Sequence, residues 1–593
     1  MRKFLAGPSI LAFCHSACAA ALGSPDQSSN AIATAAPGEL GVLDPSLSTR
    51  NACSGNTASD RTTWCDYDIS TNYYDVVPDT GATVEYCFEL TNITASPDGY
   101  ARQVLTVNGS IPGPTIEANW GDTVKVHVTN SLANNGTSLH FHGIRQNYTN
   151  AMDGVASITQ CPVAPGESIT YTWRATQYGS SWYHSHYDLQ AWEGVLGGIV
   201  INGPSTANWD TDLGMLFLND WSHQTVDELY TYAETEGPPT MDNGLINGTN
   251  TGDDGGSRFS TSVTEGDTYL LRLINGAADT HFDFMIDNHT LQVISSDFVP
   301  IQPYYTDALS IGMGQRYDVI VTANMSSVAS DFWIRAIPDS YCSESDNTND
   351  IKGILHYGTS TGTPDTTAFA YEGNDCSGED ASNLVPYLAL DVESSADLSD
   401  DLSVTIGRNT DNLYKWYIGG TTFLVDWSNP TARKLMNNES TSFADSNAVI
   451  ELSTADEWYY LIIETTLAVP HPIHLHGHDF WQLGSGTGTY ASSNATLNTS
   501  NPPRRDTAML PGSGYLVIAF KADNPGAWLC HCHIAWHTSE GFALQFVERR
   551  DEIPALYDTA QMNSTCSAWD AYLNSTALEQ DFSGVYKSLS FLA

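Results

Sequence analysis

Along most of the chain, short runs rich in Val, Ile, Tyr, Trp and Phe alternate apolar and polar positions with a period of two, and Gly, Pro, Asn and Asp punctuate them. "ESITYTWRA" (167–175) and "GYLVIAF" (514–520) are such runs. Alternation of this kind predicts half-buried strands joined by tight turns, the texture of an all-β sandwich or barrel. One phrase recurs three times: "NWGDTVKVHVTN" (119–130), "TEGDTYLLRLING" (264–276) and "STADEWYYLIIET" (453–465). Each is a turn carrying an acidic residue followed by an alternating strand, and the spacing between copies is that of whole domains rather than of solenoid repeats. The pattern predicts three related all-β domains, covering 51–203, 204–380 and 381–593, with breaks at "NGPS" (202–205) and at the polar stretch "CSGEDASN" (376–383). Helices are expected to be few and short, the best candidate being 554–580, "PALYDTAQMNSTCSAWDAYLNSTALEQ".

The N-terminus departs from this texture. Arg2 and Lys3 precede an apolar run ending in small residues near Ala21, which reads as an export signal over 1–21. Residues 22–50, rich in Ala, Ser, Pro and Gly, read as a pro-segment without regular structure. No later run is apolar for long enough to span a bilayer, so a secreted, extracellular protein is expected, without a membrane partner. Sequons at Asn92, Asn135, Asn247, Asn438, Asn494 and Asn563 fit a glycosylated product. Composition narrows the partners further. The net charge is -46, with 23 Lys and Arg against 69 Asp and Glu, so a nucleic acid would be repelled over most of the surface. Of eleven cysteines, Cys14 and Cys18 leave with the signal; nine remain, an odd number, so at least one has a task other than pairing within the chain.

Four clusters carry candidate chemistry: "HFHG" (His140, His142), "HSH" (His184, His186), "HPIHLHGH" (His471, His474, His476) and "HCHIAWH" (His531, Cys532, His533, His537). On a strand, residues two apart face the same way, so each H-x-H aims two imidazoles at one place. The clusters come in matched halves, "HFHG" with "HLHG" and "WYHSH" with "WLCHCH", one set in the first domain and one in the third. That arrangement implies a metal cluster between two homologous domains, each supplying four imidazoles. Imidazole alone does not choose among zinc, copper, iron and nickel. Cys532 does: with His471 and His537 it forms the His2Cys set of a blue-copper electron-transfer site, whereas zinc would gather a fourth protein ligand or a water. Cys532 faces opposite to His531 and His533 on the strand, so it can serve one site while its neighbours serve the other.

These clusters, with "NGSIPGPTI", "GTSLHFHGI", "SSWYHSHY" and "HPIHLHGHDFW", resemble the multicopper oxidases, and closely the ascomycete fungal laccases, from about residue 51 to 570. The resemblance implies three consecutive cupredoxin-like domains and four coppers per chain. The type 1 copper would take His471, Cys532 and His537; the type 2 copper His140 and His474. One type 3 copper would take His142, His184 and His533, the other His186, His476 and His531. Phenols or aromatic amines would give single electrons through His537 at the type 1 site, and O2 would be reduced to water at the other three coppers. Phe542 falls at the axial position of type 1 copper, where it cannot coordinate; ascomycete relatives usually have Leu there. Asp220 would lie beside the type 1 pocket and accept the proton that a phenol sheds, against the alternative of a turn aspartate organising a loop. Asp153 would lie near the type 2 copper. His478 is expected beside the ligands without being one, and His127, His223, His281, His289 and His356 to be ordinary. The implied disulfides are Cys53–Cys65, Cys161–Cys566 and Cys342–Cys376, leaving Cys87 and Cys530 as buried thiols or as a bridge of their own. The tail "DFSGV" (581–585) is a broken version of the family's C-terminal plug. A monomer is expected. A ferroxidase-type multicopper oxidase and a non-catalytic copper-binding module are the alternatives.

Overall fold

The computed structural model describes residues 54–593 except 372, 374, 394–397, 438–442, 494, 577, 581–585 and 589–593. The expectations for the export signal (1–21), the pro-segment (22–50), Cys53 and its pairing, the sequons at Asn438 and Asn494, and the tail "DFSGV" lie outside the described residues.

The three recurring phrases form three equivalent strands, Thr123–Asn130, Thr268–Asn275 and Trp458–Thr465. In Thr123–Asn130 every second residue is fully buried, as the alternation of Val with polar residues dictates. Each of the three lies between the same two neighbours. An earlier strand runs parallel to it (Thr83–Ala95, Thr211–Trp221 or Leu398–Arg408), and a later one runs antiparallel (Ser168–Arg174, Arg316–Thr322 or Gly514–Lys521). A second sheet of four, five or five strands completes each unit. The molecule is therefore three cupredoxin-like two-sheet domains in series.

In these second sheets, equivalent antiparallel pairs carry the chemistry. His140–Phe141 pairs with Gly179–His184, placing His140 opposite His184. His471–Leu475 pairs with Gly526–Cys532, placing His474 opposite His531 and Ile473 opposite Cys532. The corresponding pair in the middle domain sets Phe282 and Phe284 against Pro338 and Ala336, so apolar packing stands where the outer domains present imidazoles.

The expected C-terminal helix is Thr559–Thr576, after a 3-10 turn at Ile553–Leu556. Cys566 on this helix bridges to Cys161 of the first domain, and Cys342 bridges to Cys376. Cys530 is a free, buried thiol whose surroundings push its pKa up to about 12. Cys87 corrects the reading: it is disulfide-bonded, and no bridge joins it to Cys530, which is free. Cys87 is half-buried on the strand Thr83–Ala95 rather than enclosed in a core, unlike the free Cys530. Among the described residues no helix is long and apolar enough to cross a membrane.

Candidate metal centres

All ten candidate histidines and Cys532 gather in two places. At the first, His471 begins one strand, Cys532 ends its neighbour, and His537 sits on the short helix Ala535–Ser539 that follows. The Nδ1 atoms of His471 and His537 are 3.3 Å apart, and Cys532 Sγ lies 4.0 and 3.6 Å from them. All three side chains are buried. Burial pushes the Cys532 thiol well above its ordinary pKa, His537 well below it, and His471 down to about 3. Two neutral imidazoles and a thiol facing one another form a soft trigonal donor set, and a bound cation would deprotonate the sulfur. The surrounding wall is aromatic: Trp416 lies 4.2 Å from His537 and 5.0 Å from His471, and Phe542 lies 5.2 Å from His471, between ring centroids.

At the second place eight imidazoles from the first and third domains interleave. His142 stacks on His474 at 3.8 Å and His140 lies over His476 at 4.0 Å. His186 and His533 complete the ring with His184 and His531. Donor atoms within 4.8 Å of one another form sets that include His140, His142 and His184; His140, His474 and His476; and His186, His476 and His531. The tautomers are fixed from outside. Nδ1 of His140 donates to Asp153 O, of His184 to Ser185 O, of His474 to Asp506 O and of His531 to Cys532 O, at 2.8–2.9 Å. His476 Nδ1 is 3.0 Å from Asp153 Oδ2. His142 is reversed: its Nε2 meets Asp506 Oδ1 and Thr507 Oγ1, each at 3.2 Å. What remains is a set of buried nitrogens with no hydrogen-bond partner among the described residues: Nε2 of His140, His184 and His474, Nδ1 of His142, and both ring nitrogens of His533. Burial, followed by the neighbouring rings, pushes His142, His184, His186, His476, His531 and His533 well below the ordinary histidine pKa. Neutral rings with unpartnered lone pairs turned inward fit a cluster of imidazole-loving cations, and orphaned buried nitrogens would otherwise be costly. A cleft walled by Phe423, Val425, Trp427 and Leu529 reaches His184, His186, His531 and His533.

The two places are joined by one peptide. His531 Nδ1 donates to the carbonyl of Cys532 itself, so the thiolate's residue touches the eight-imidazole group through its chain neighbours and through a hydrogen bond.

Asp153 is fully buried; its carbonyl accepts from His140 Nδ1 at 2.8 Å and its Oδ2 from His476 Nδ1 at 3.0 Å, so it orients one ring from each domain. Asp220 is also buried, and its carboxylate is occupied: it accepts from the N–H groups of Ala278, Asp279 and Thr280 and from Thr280 Oγ1. These bonds match the turn-aspartate alternative. They also brace the third domain, since Ala278 O accepts from Ala535 N at the start of the helix bearing His537. His478 pairs with Glu548 at 3.0 Å. The other five histidines have ordinary partners: His127 on Thr170, His223 on Asp98, His281 on Ser310, His289 on Tyr357 and His356 on Asp331.

Sequence reasoning missed Asp506, Asp279, Glu540 and Trp416. Asp279 adjoins Asp220 and is half-buried; burial and then the Asp220 charge push its carboxyl well above the usual range. Glu540 accepts from the indole N–H of Trp416 at 3.0 Å, and burial pushes it up to about 8. Of these, only "RRDT", two cations beside an acid at the start of an apolar strand, gave a signal at Asp506.

Comparison with known proteins agrees with this geometry. Three models described as multicopper oxidase match residues 89–206, 212–360 and 421–552. The chain is 46% identical to "Laccase-2" of Botryotinia fuckeliana, over 94% of this chain and 97% of that one. It is 41% identical to a laccase of Cryphonectria parasitica, over 93% and 97%. A crystal structure of the laccase from Botrytis aclada superposes with a TM-score of 0.85 at 46% identity, covering 89% of this chain and 99% of that one. Fet3p, described as a multicopper oxidase that functions in iron import, superposes with a TM-score of 0.73 at 27% identity, covering 82% and 95%. With its three domains each matched, the chain belongs to the multicopper oxidase family, as a laccase-type oxidoreductase.

Proposed function

We propose that the protein is a secreted laccase that oxidises phenols or aromatic amines one electron at a time and reduces O2 to two waters. The observation that carries this reading is the pairing of a His2Cys group with an eight-imidazole group through Cys532 and His531. Four coppers per chain are assigned, one held by His471, Cys532 and His537, one by His140 and His474, one by His142, His184 and His533, and one by His186, His476 and His531. Copper supplies one-electron redox steps and a binding place for O2. Four phenols each release one electron and one proton, and O2 takes up four of each. With copper bound, His537 would be the electron entry and Cys532, with its chain neighbours His531 and His533, would supply the covalent path towards the eight-imidazole group.

Around this, the chain's own residues bind, orient and exclude water. Trp416 and Phe542 keep the thiolate site dry. Asp153 holds His140 and His476 with their Nε2 atoms inward and is placed to hand protons towards oxygen. Asp220 is proposed to serve the phenolic proton through the loop it organises, with half-buried Asp279 as the acid nearer solvent. The apolar cleft reaching His186 and His533 is the proposed oxygen entrance.

A ferroxidase is the second reading, favoured by the carboxyls of Asp279 and Glu540 on the side of His537. Against it, the Asp220 oxygens are taken by four donors and are poorly placed to bind a cation. Parallel turnover of a dimethoxyphenol and of Fe(II) separates the two. A laccase prefers the phenol; a kcat/KM for Fe(II) above that for the phenol would overturn the assignment.

A further inference from the structure

The second domain contributes none of the eleven candidate ligands, yet one of its turns reaches the eight-imidazole group. The turn is "GMGQR", residues 312–316. Gly314 has φ +82, and a Cβ there would stand 2.9 Å from His533 Cδ2 and 3.3 Å from His142 Cε1, so its backbone lies directly on two of the rings. Gln315 Nε2 donates to Thr507 O at 3.1 Å. Arg316 extends its guanidinium to Asp506 as a two-point fork, Nη1 to Oδ1 and Nη2 to Oδ2, both at 2.6 Å. Asp506 Oδ1 in turn meets His142 Nε2 at 3.2 Å. Both charged groups are almost wholly enclosed. Room for the fork is made by Gly143 of "HFHG", where a Cβ would stand 2.3 Å from Arg316 Nη2.

His142 is the histidine this arrangement singles out. Five of its neighbours are tied through Nδ1, whereas His142 is tied through Nε2 and turns Nδ1 inward. Thr507 Oγ1 also touches Nε2, and because that hydroxyl donates to Asp506 Oδ1 at 2.9 Å it too meets Nε2 as an acceptor. A carboxylate only accepts, so Asp506, directly and through Thr507, obliges Nε2 to carry the proton. The fork takes both Asp506 oxygens in short charge-assisted hydrogen bonds, the geometry of an ionised, acceptor-only carboxylate.

We infer that Arg316 is a positioning residue of the second domain: by clamping Asp506 it fixes His142 in the tautomer that presents Nδ1 to the cluster. This rests on the reading of the eight imidazoles as a copper cluster. Arg316 also lies 3.3 Å from Asp297, which pairs with Arg505 at 2.8 Å, so the competing explanation is a buried charge network that only joins domains.

The test compares Arg316→Gln, Arg316→Lys and Arg505→Gln in the full-length, copper-loaded protein. The readouts are copper retained against a chelator, the visible thiolate-to-copper band, and the magnetic-resonance signal of the cluster. Wild-type cluster copper is measured first, because its absence would sink the cluster reading itself rather than this inference. Both Arg316 variants are expected to keep the thiolate band and to lose cluster copper about 10–100-fold more readily, the size usual for partners that orient metal ligands. A paramagnetic signal from uncoupled copper should accompany that loss. Lys keeps the charge but not the fork, so it decides the matter if the Gln variant does not fold. Arg505→Gln, which breaks the same network at Asp297 and leaves the fork on the Asp506 carboxylate in place, should retain cluster copper. Wild-type retention in a folded Arg316 variant, or equal loss in Arg505→Gln, would overturn the inference.

Discussion

The ring of Phe542 lies 5.2 Å from that of His471 and stacks on Trp416 at 5.4 Å, a carbon wall beside the thiolate site. A weak axial donor stabilises Cu(II) more than Cu(I), so a phenyl group in that place raises the potential relative to a thioether. Phe542→Met is therefore expected to lower the type 1 potential, by about 59 mV for each tenfold gain in preference for Cu(II). Redox titration of both proteins measures this, and a variant potential equal to or above wild type would remove Phe542 from the account. Single residues also set the limit of what the sequence revealed. The spacing of "HFHG" and "HCHIAWH" announces paired imidazoles because strand geometry fixes where residues two apart point. Asp506 and Trp416 carry no such periodic mark; their roles arise from packing across chain separations that pattern cannot see. Cys87 was misread for the same reason, since its half-buried place depends on what the neighbouring strands leave uncovered.

At the scale of elements, alternation found the three recurring strands, and their parallel and antiparallel neighbours repeat as homology of the phrases suggested. What it did not reveal is that equivalent strand pairs in the second sheets would put His140 opposite His184 and His474 opposite His531. Register between strands is set by side-chain packing and turn geometry, neither of which is local. The C-terminal helix was legible as Thr559–Thr576, and its tie to the first domain through Cys161–Cys566 joins segments 405 residues apart. That cross-link ties the first domain to the third, and the Arg316 fork ties the second domain to the third. The gathering of the eight imidazoles is thus an outcome of connections that are distant in sequence.

For the whole molecule, buried acids and a large negative charge both bear on pH. Burial holds Glu540 up to about 8 and Asp283 up to about 7, so between their unfolded values and these the native state keeps protons that the unfolded chain has lost. Stability contributed by such groups falls as pH rises through that window. His281, pushed down to about 4 by burial, acts oppositely: the unfolded chain binds the extra proton, so its contribution is lost as pH falls below about 6.5. Above about pH 6.5 the acids act, joined by His478, whose pKa, against burial, the Glu548 carboxylate raises, and the net charge of -46 adds repulsion in the same direction. The unfolding temperature is expected to fall between about pH 6.5 and 8, and Glu540→Gln, which retains an acceptor for the Trp416 N–H, to flatten that fall. Thermal unfolding across this range is the check; an undiminished slope in the variant would show that Glu540 does not carry its share.

The claim on which the account depends is that His471, Cys532 and His537 hold one redox metal and the eight inward-facing imidazoles hold three more. Metal analysis of the purified protein combined with its visible spectrum tests this most directly. Four coppers per chain with an intense thiolate-to-copper band, abolished in Cys532→Ser together with one copper, is the predicted result. Zinc in place of copper, or a full copper complement without that band, would contradict it.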